Sequence, residues 1–435
     1  MEIRDPVHGS IAIAPEEVPV LKAPFFQRLR NIKQLGFSEY SFPGATHTRY
    51  LHSIGVMAVA TKSFDKIFFQ RQNDAGFQRL RQTLRLATLL HDIGHAPLSH
   101  STESVMPEVS ALSLPKRFKG NEPSRQATHE DYTIKAVTDS SFTDSFGLMI
   151  KKYSLDPNCV AELIVGKTTD LDYFTIEGIN YFPILHQMVS SEMDCDRMDY
   201  LLRDSYFCGV SYGQFDIDWI IDNLDCCIID DTAYLGLSER AIPTFDDFLL
   251  GRFHMFLMIY FHYRAVCLEK LLGRYFESDE NEYRIPEDIE EYLYHDDYHL
   301  KKILRNSKSI WAQRVVHNDI PDKIFESFGT DQLGVIEKLE DYFKSSEIDF
   351  IRCSSIGRLS KYYECGQDQA KFPMKAIRSF YGSHKPSYFN MSDATDLFNK
   401  FSKTHSVNRV HCDIKNLSVA HKKAIDAIIN FGVSS

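Results

Sequence analysis

The chain of 435 residues is 43% hydrophobic and 25% charged, and its 31 Phe and 22 Tyr make it unusually aromatic. This composition is typical of a folded globular protein and excludes a disordered chain. The net charge of −11 argues against a protein that coats a nucleic-acid backbone, because phosphate contacts require a surplus of Lys and Arg. The nine cysteines include no C-x-x-C pair, so they predict neither a disulfide framework nor a thiolate zinc site.

The first residues, MEIRDPVHG, contain no apolar segment of the kind found in signal peptides. The most apolar long stretch, residues 251–272, carries Arg252, Arg264, Glu269 and Lys270, which would be costly inside a bilayer. We therefore interpret this stretch as a buried helix and expect no membrane segment. The cysteine usage fits a reducing compartment, and a cytoplasmic location is predicted.

The first predicted elements are a short β-hairpin and two helices. Alternation of apolar and polar residues around SIAIAP (10–15) predicts a strand, and residues 23–36 have helical spacing with Gly36 as the stop. A Pro-Gly turn at 43–44 precedes the second helix, whose apolar residues recur at intervals of three and four. His52 is predicted to lie in the first turn of that helix.

The next predicted helix carries a histidine on its apolar stripe. The members of this stripe are spaced four, three and four residues apart: Leu80, Leu84, Ala87 and His91. Pro97 is predicted to end this helix, and residues 107–123 are interpreted as a long loop. His129 and Glu130 are predicted to begin the following helix.

Two longer helices are predicted further along, at residues 182–206 and 246–272. The amino-acid composition changes after about residue 275. Acidic and tyrosine-rich stretches follow, and NRVHCDI (408–414) is interpreted as a strand. The predicted boundary separates a core at 1–275 from a C-terminal helical or mixed subdomain at 276–435, which we expect to serve oligomerisation or regulation.

One dense polar stretch, LLHDIGHAPLSH (89–100), points to chemistry. Adjacent His91 and Asp92 differ by about 100° around a helix, so both can bind one metal only at a helix end or beside a partner helix. A His-Asp pair by itself is more often structural. His52 and Asp196 are the candidates for further ligands, and two His with two Asp suit Mn²⁺, Fe²⁺, Zn²⁺ or Ni²⁺.

The order of His52, His91-Asp92 and Asp196 resembles the HD superfamily of metal-dependent phosphohydrolases, and more closely its deoxynucleoside triphosphate triphosphohydrolase branch. The stretches that carry this resemblance lie in order along the first two hundred residues: DPVHG, FQRLRNIKQLG, FPGATHTRYLHSIGV, LLHDIGHAPLSH, THE and DCDRMDYLLRD. The resemblance implies a mainly α fold, with a helical HD-domain core, a short N-terminal β-hairpin and a mixed α/β C-terminal subdomain.

The resemblance also implies roles for these residues. The metal ligands would be His52, His91, Asp92 and Asp196. His95 and His129, with the adjacent Glu130, would act in catalysis, and Glu103 stands where the family places a carboxylate that orients His95. In the triphosphohydrolases of this branch water attacks the α-phosphorus, which releases a nucleoside and tripolyphosphate.

The substrate contacts implied in the same way are Gln34, Arg49, His100, Arg197, Tyr200 and Asp204. Arg49 would contact the α-phosphate, while Tyr200 would pack on the sugar and Asp204 would accept from its 3′-hydroxyl, opposite Gln34. Simpler readings remain open at this point. His95 and His100 could cap helix carbonyls, and Tyr200 with Asp204 could be part of an ordinary amphipathic stripe.

The chain departs from the animal members of this branch at several positions. Val266 and Cys267 replace a Tyr and a Gln that read the sugar and base, and Met258 replaces an Arg that clamps the outer phosphates. Triphosphate recognition would then depend on Arg197, Arg264 or another base. At the activator site Gln27 and Arg30 match, but Lys22 and Met1 do not, so activation by GTP is not predicted.

Three functions follow from this pattern. The first is a dNTP triphosphohydrolase with one divalent transition metal, Mg²⁺ accompanying the nucleotide, and a homo-oligomeric assembly expected from the family. The second is an HD phosphodiesterase, exonuclease or nucleotidase acting on another phosphoester, although the acidic charge disfavours a nucleic-acid substrate. The third is a noncatalytic nucleotide sensor on the same scaffold.

Overall fold

The computed structural model describes residues 1–118, 122, 124–329, 332–364, 367–368, 370–379, 386–400 and 404–433. The chain begins with an antiparallel hairpin in which Glu2 pairs with Ala12 and Asp5 with Gly9, as the alternation around SIAIAP predicts. The fold is mainly helical, with this hairpin, a mixed sheet in the middle of the chain and an antiparallel sheet near its end. The predicted fold class is therefore confirmed.

The α-helices of the first two thirds of the chain form one group around a shared core. They are α1 (Val18–Lys22), α2 (Pro24–Arg28), α3 (Arg49–Ile67), α4 (Ala75–Leu90), α5 (His129–Thr138), α6 (Gly147–Tyr153), α7 (Pro157–Val165), α8 (Leu171–Phe174), α9 (Phe182–Val189), α10 (Cys195–Cys208), α11 (Ile217–Asp222), α12 (Ile242–Met255) and α13 (Tyr263–Glu277). Those that follow are α14 (Ile289–Tyr292), α15 (Asp297–Asn306), α16 (Ile310–Val316), α17 (Leu333–Ser345), α18 (Leu397–Lys400) and α19 (Val419–Val433).

The strands form small sheets. They are β1 (Glu2–Asp5), β2 (Gly9–Ala12), β3 (Thr175–Ile176), β4 (Ile179–Asn180), β5 (Leu224–Ile229), β6 (Thr232–Ser238), β7 (Asp322–Phe328), β8 (Ile351–Gly357), β9 (Tyr363–Glu364), β10 (Gln367–Asp368), β11 (Lys375–Arg378), β12 (Ser387–Asn390) and β13 (His405–Cys412). The middle sheet runs β12-β11-β6-β4-β3, with β5 also paired to β6, and its β6 pairs in parallel with β11 and β4. The C-terminal sheet is β7-β13-β8, antiparallel throughout, and the predicted strand around NRVHCDI is its centre.

Side-chain caps start the two helices on which the candidate site most depends. Asp194 accepts a hydrogen bond from the backbone N–H of Arg197, which fixes the start of α10. Thr128 and Asp131 form a reciprocal capping box at the start of α5, so the helix begins at His129 as predicted. Arg125 holds the Asp131 carboxylate with two hydrogen bonds of 2.7 Å, which keeps the capping group in place.

Two predicted helices are each divided in two. The helix predicted at 182–206 breaks between Val189 and Cys195, where the caps of α10 require extended backbone. The helix predicted at 246–272 ends as α12 at Met255, continues as a π-helical turn (Phe256–Tyr260) and restarts as α13 at Tyr263. Apolar periodicity does not register such breaks, because residues on both sides of them remain buried.

The hydrophobic core is divided unequally. The larger cluster extends from Ile11 in β2 to Phe398 in α18 and so includes side chains on both sides of residue 275. The smaller cluster lies between α17, α19 and one face of the C-terminal sheet, and includes Phe343, Val410 and Cys412. Among the described residues, no helix is both long enough and apolar enough to cross a membrane. The amino-acid composition changes near residue 275, where the boundary is predicted, but the hydrophobic core continues across this position.

Candidate active site

The four predicted metal ligands converge from three parts of the fold. His52 lies in the first turn of α3, Asp196 lies in the first turn of α10, and His91 and Asp92 follow α4 directly. Nε2 of His52 is 2.9 Å from Oδ1 of Asp196, and Nε2 of His91 is 3.6 Å from the same oxygen. Oδ1 of Asp92 is 3.4 Å from Nε2 of His91. One ion could therefore contact side chains from all three segments.

The end of α4 explains how two adjacent residues can face the same point. The prediction that Pro97 ends this helix was wrong, because the regular helix stops at Leu90, well before the proline. His91 is the C-cap residue, and a tight turn closed by the Ile93 N–H on the Leu90 carbonyl follows it. The closing bond spans three residues instead of four, and at this helix end Oδ1 of Asp92 lies 3.4 Å from Nε2 of His91, so both side chains reach the same point.

The ring of His91 is oriented for binding a cation. Its Nδ1 donates to the Thr88 carbonyl at 2.8 Å, since a carbonyl can only accept, so in the neutral ring, the form that binds a metal, Nε2 carries the free lone pair. Within the described part of the chain this buried Nε2 has no hydrogen-bond partner. A buried, unpartnered imidazole nitrogen beside two carboxylates fits a divalent transition metal by donor type.

His52 is oriented by a group that the sequence analysis did not single out. Asp199, one turn after Asp196 on α10, lies 2.8 Å from Nδ1 of His52 and 2.6 Å from Nε2 of His8. Gly55 makes this approach possible, because a Cβ there would lie 1.9 Å from Oδ1 of Asp199. The available signal in the sequence was the i, i+3 spacing of Asp196 and Asp199, since carboxylates outside the ligand set commonly hold metal-binding histidines.

Replacing Asp199 by asparagine is expected to weaken metal binding by about 10- to 100-fold, because an amide holds the His52 ring less firmly and does not favour its metal-bound form. Isothermal titration of the metal-free variant and wild type with Mn²⁺ measures the effect. Glu177→Gln, at an exposed ion pair with Arg71, is the control and should bind like wild type. Equal affinities in all three proteins would show that Asp199 does not act on the metal site.

Asp92 also forms an ion pair with Arg49, which lines the same cavity. Its Oδ2 accepts from Nη1 of Arg49, and Nε of Arg49 donates to Ser99 Oγ at 2.9 Å. Burial acts to raise the pKa of Asp92, but the charge of Arg49, together with the adjacent His91 and His95, outweighs it and holds the pKa well below its usual value. Asp92 is thus ionised, as a metal ligand must be.

The predicted catalytic histidines lie face to face. The rings of His95 and His129 are stacked, with centroids 3.9 Å apart and an interplanar angle of 12°. Gly94 permits this contact, because a Cβ there would lie 2.1 Å from the backbone oxygen of His129. Any larger residue would push the start of α5 away from the turn that carries His95.

The predicted contact between Glu103 and His95 is not present. Glu103 lies in a 3-10 helix (Ser99–Val105), and its Oε1 is 2.5 Å from Nδ1 of His129 and 3.1 Å from Nδ1 of His100. The prediction was wrong because the 3-10 helix directs the Glu103 carboxylate to His129 at the start of α5 and to His100. The carboxylate therefore orients the other member of the stacked pair.

The two stacked rings differ in their electrostatic surroundings. Burial, the Arg49 charge and the facing His129 together lower the pKa of His95 well below its usual value, so this ring is neutral near neutral pH. Burial acts to raise the pKa of Glu103, but its hydrogen bonds to His100 and His129 lower it far below normal. Glu103 is therefore ionised and can balance a positive charge on His129. Glu130 lies exposed at the cavity rim.

The site opens into two adjoining cavities. One, of about 300 Å³, is lined by three of the four candidate ligands, His91, Asp92 and Asp196, and by the stacked histidines, and the other has a volume of about 340 Å³. The predicted substrate residues are distributed over them. Both cavities are lined by Gln34, Arg49, His100 and Tyr200, with Arg197 in the first only and Asp204 in the second only.

Asp204 is held by two residues that the sequence analysis did not identify. Its Oδ1 is 2.7 Å from Nε2 of His47, and its Oδ2 accepts from the Tyr260 hydroxyl at 2.7 Å. Tyr260 reaches this position from the π-helical turn, and such turns are frequent at functional sites. Asp204 is therefore a fixed acceptor, with one lone pair on each oxygen left for a ligand.

The cations near the first cavity differ from those predicted. Arg197 lines it but is buried and directed at Glu192, whose backbone oxygen it contacts at 3.2 Å. Lys361 and Tyr362, from the C-terminal part of the chain, also line this cavity and were not predicted. Met258, where the animal enzymes have an Arg, is 49% exposed on the π-helical turn.

Residues beyond 275 brace the loop that follows the His-Asp pair. Tyr292 donates its hydroxyl hydrogen to the Gly94 carbonyl at 2.8 Å, and Asp297 accepts from the Leu98 N–H at 2.7 Å. Leu98 and Ser99 have φ angles of 55° and 59°, an unfavourable conformation for non-glycine residues. This bracing holds Ser99, and through it Arg49, in a strained arrangement.

Known proteins that resemble this chain in sequence or in fold were identified. Residues 49–144 match the family model of the HD domain. An uncharacterised protein of Mycoplasma pneumoniae is 32% identical over 269 residues, which cover 61% of this chain and 57% of that protein. An uncharacterised protein of Mycoplasma genitalium is 28% identical over 430 residues, covering 95% and 92%. The chain thus spans less than two thirds of the first relative and nearly all of the second.

More distant relatives include one whose activity is part of its name. The deoxynucleoside triphosphate triphosphohydrolase SAMHD1 of Homo sapiens is 27% identical over 271 residues, which cover 60% of this chain and 41% of that protein. The solved structure of a hypothetical protein from Aquifex aeolicus matches 95% of this chain and 97% of its own, with a TM-score of 0.72 at 23% identity. That likeness shows a shared fold.

Proposed function

We propose that this chain, an HD-domain protein of the metal-dependent phosphohydrolase type, hydrolyses deoxynucleoside triphosphates to a deoxynucleoside and tripolyphosphate. One observation carries the proposal. The cavity with the metal-ligand set and the stacked histidines shares the wall formed by Tyr200 and Gln34 with a second cavity of nucleoside size. A phosphate chain would occupy the first cavity and a sugar with its base the second.

The metal would be held by His52, His91, Asp92 and Asp196, whose donor atoms are those that Mn²⁺, Fe²⁺, Zn²⁺ and Ni²⁺ accept. When bound, such an ion polarises a phosphoryl oxygen and makes water a better nucleophile. The buried Arg49 adds a fixed positive charge beside Asp92, where the α-phosphate would lie. These groups favour attack at the phosphorus nearest the sugar.

The leaving oxygen of the sugar requires a proton, and His129 is placed to supply it. Glu103 accepts from Nδ1 of His129, so Nε2 is the nitrogen that can release a proton toward the cavity. The ionised carboxylate balances the positive charge that a protonated ring carries. His95, which is neutral, stacks on His129 without adding a competing charge.

The deoxyribose would lie against Tyr200, with Asp204 as the acceptor for its 3′-hydroxyl. His47 and Tyr260 fix the Asp204 carboxylate in one orientation. A carboxylate held in this way would select a substrate whose hydroxyl lies in the matching position. Gln34 also lines this cavity. The outer phosphates would extend past Arg197 and His100 toward Lys361.

The test is a panel of ribo- and deoxynucleoside triphosphates incubated with the full chain and Mn²⁺ or Mg²⁺, with products separated by anion-exchange chromatography. Tripolyphosphate and a nucleoside are expected from at least one dNTP. His91→Ala should remove this activity, whereas His317→Ala, at an exposed histidine following α16, should retain it. Release of inorganic phosphate alone, or no turnover of any triphosphate, would overturn the proposal.

A second candidate is hydrolysis of another phosphoester, which the contact of Arg197 with Glu192 favours, because it leaves that guanidinium less available to the outer phosphates. Nucleoside monophosphates, cyclic nucleotides and a labelled single-stranded oligonucleotide are therefore added to the panel. Turnover of one of these without turnover of any dNTP would assign the chain to that reaction. Binding of a nucleotide with no turnover of any compound would instead indicate a sensor.

A further inference from the structure

We propose that Cys267, Cys353 and His411 form a second metal site, which takes a thiophilic ion such as Zn²⁺ and joins α13 to the C-terminal sheet. Sγ of each cysteine and a ring nitrogen of the histidine lie within 4.8 Å of one another. All three side chains are fully buried. They belong to three separate elements, α13, β8 and β13, so one ion would link segments distant in sequence.

The strongest evidence is the orientation of His411. Its Nδ1 lies 3.2 Å from the carbonyl oxygen of Pro321, which can only accept, so Nδ1 carries the hydrogen. Nε2 then has a free lone pair, and this buried atom has no hydrogen-bond partner in the part of the chain that the structure describes. A carbonyl that fixes the tautomer from behind is the usual support of a metal-binding imidazole.

The two thiols are arranged as ligands rather than as isolated core residues. The side chains of Cys267 and Cys353 form a hydrogen bond with each other, so neither thiol packs as an isolated apolar group. A pair of thiolates with an imidazole is a donor set that Zn²⁺ binds tightly, with a fourth position left for another ligand.

The geometry of the sheet explains why three such distant residues meet. Val410 and Cys412 of β13 belong to the smaller hydrophobic cluster, and His411 between them points away from it. Cys353 lies on the neighbouring strand β8, opposite Arg409, and belongs to the larger cluster that includes Cys267. The cysteines are 86 positions apart in sequence, so spacing motifs could not reveal the site.

The donor types separate this site from the one at the HD motif. The candidate ligands there are imidazole and carboxylate, which accept Mn²⁺ or Fe²⁺, whereas two thiolates select softer ions. The site would act structurally. It would fix α13, which also contributes Ala265 and Glu269 to the second cavity, against strands β8 and β13.

The experiment uses the full chain carrying Asp92→Ala, reduced, loaded with Zn²⁺ and dialysed. X-ray absorption at the zinc edge should show sulfur neighbours at about 2.3 Å, a distance that His and Asp ligands do not produce. Loading with Co²⁺ should give a thiolate-to-cobalt charge-transfer band. Cys353→Ser in the same background should lose the band and one metal equivalent, while Cys159→Ser, at a buried cysteine outside the cluster, should keep both.

Zinc without sulfur neighbours, or no zinc retained by the Asp92→Ala chain, would overturn the proposal. A Cys267–Cys353 disulfide found by mass spectrometry in protein purified without reductant, together with no metal in reduced protein, would overturn it in favour of a redox pair. Circular dichroism of each variant identifies loss of folding, and the absorption measurement on the cysteine-intact chain does not depend on any cysteine variant. None of these readouts requires hydrolysis, so the result stands apart from the proposed activity.

Discussion

Replacing Asp92 by alanine is expected to abolish nucleotide hydrolysis and to weaken metal binding at this site by more than the ~100-fold that loss of an outer-shell partner typically costs. The carboxylate is a candidate ligand and lies 3.4 Å from Nε2 of His91. Its pKa is held well below the usual value, so its negative charge is available to a cation without loss of a proton. Alanine supplies neither a donor atom nor that charge.

The Asp92→Ala variant has a side effect that a second variant controls. Arg49 would lose its carboxylate partner while remaining buried, and an unpaired buried charge lowers the free energy of unfolding. His91→Ala removes a ligand and leaves the Arg49–Asp92 pair intact. Metal content by mass spectrometry and product formation by anion-exchange chromatography should fall in both variants. Full activity in a His91→Ala protein with reduced metal content would refute the assignment of this site.

Replacing His129 by alanine is expected to lower kcat by about 10²- to 10⁴-fold, the usual contribution of general acid-base catalysis, with the metal retained. The reason is that His129 supplies the proton for the leaving oxygen, whereas the candidate ligands lie on other segments of the cavity wall. A fall in kcat at constant metal content and nearly constant KM separates this role from a structural one. Loss of metal in His129→Ala would contradict it.

The pH dependence tests the pairing of His129 with Glu103. The pKa of Glu103 is depressed in the folded protein, so its stabilising effect is present above the ordinary carboxyl pKa and disappears only as the pH falls through the lower folded value. Glu103 therefore stays ionised near neutral pH. Above the ordinary carboxyl range the rate should therefore not depend on the protonation of this carboxylate, whereas Glu103→Gln, which carries no charge at any pH, should lower kcat throughout that range.

His100 provides the matched control for that experiment. It contacts the same carboxylate oxygen of Glu103 at 3.1 Å, but its side chain is 66% exposed. His100→Ala keeps the Glu103 carboxylate in contact with His129, so kcat near neutral pH should stay close to the wild-type value while KM changes. An equal loss of kcat in Glu103→Gln and His100→Ala would show that the carboxylate does not act through His129.

The sequence predicted which candidate ligands would lie together because each is in a short motif whose order along the chain is distinctive. His52 in TRYLH, His91-Asp92 in LLHDIGH and Asp196 in DCDRMD lie together in the structure. Helix starts were also predictable where a side-chain cap marks them, as at His129. These features depend on interactions between residues close in sequence.

Features that depend on distant contacts were not predictable from the residues alone. The contact of Glu103 with His129 follows from the path of a 3-10 helix, and the hold of His47 and Tyr260 on Asp204 follows from a π-helical turn. Both turns are too short for their different period to be recognised in the pattern of apolar residues. The predicted roles of the site residues remain predictions that the variants above test.

The bracing of the loop after the His-Asp pair has a consequence for dissecting the protein. A fragment ending at residue 275 would retain His52, His91, Asp92 and Asp196. It would lack the Tyr292 hydroxyl and the Asp297 carboxylate, which hold the backbone at Gly94 and Leu98. Those contacts stabilise a strained backbone, so the shortened chain would have all four candidate ligands, but the loop at residues 94–99 would be held less firmly. A fragment that contains all four candidate ligands is therefore not expected to keep the geometry of the site without the residues after 275.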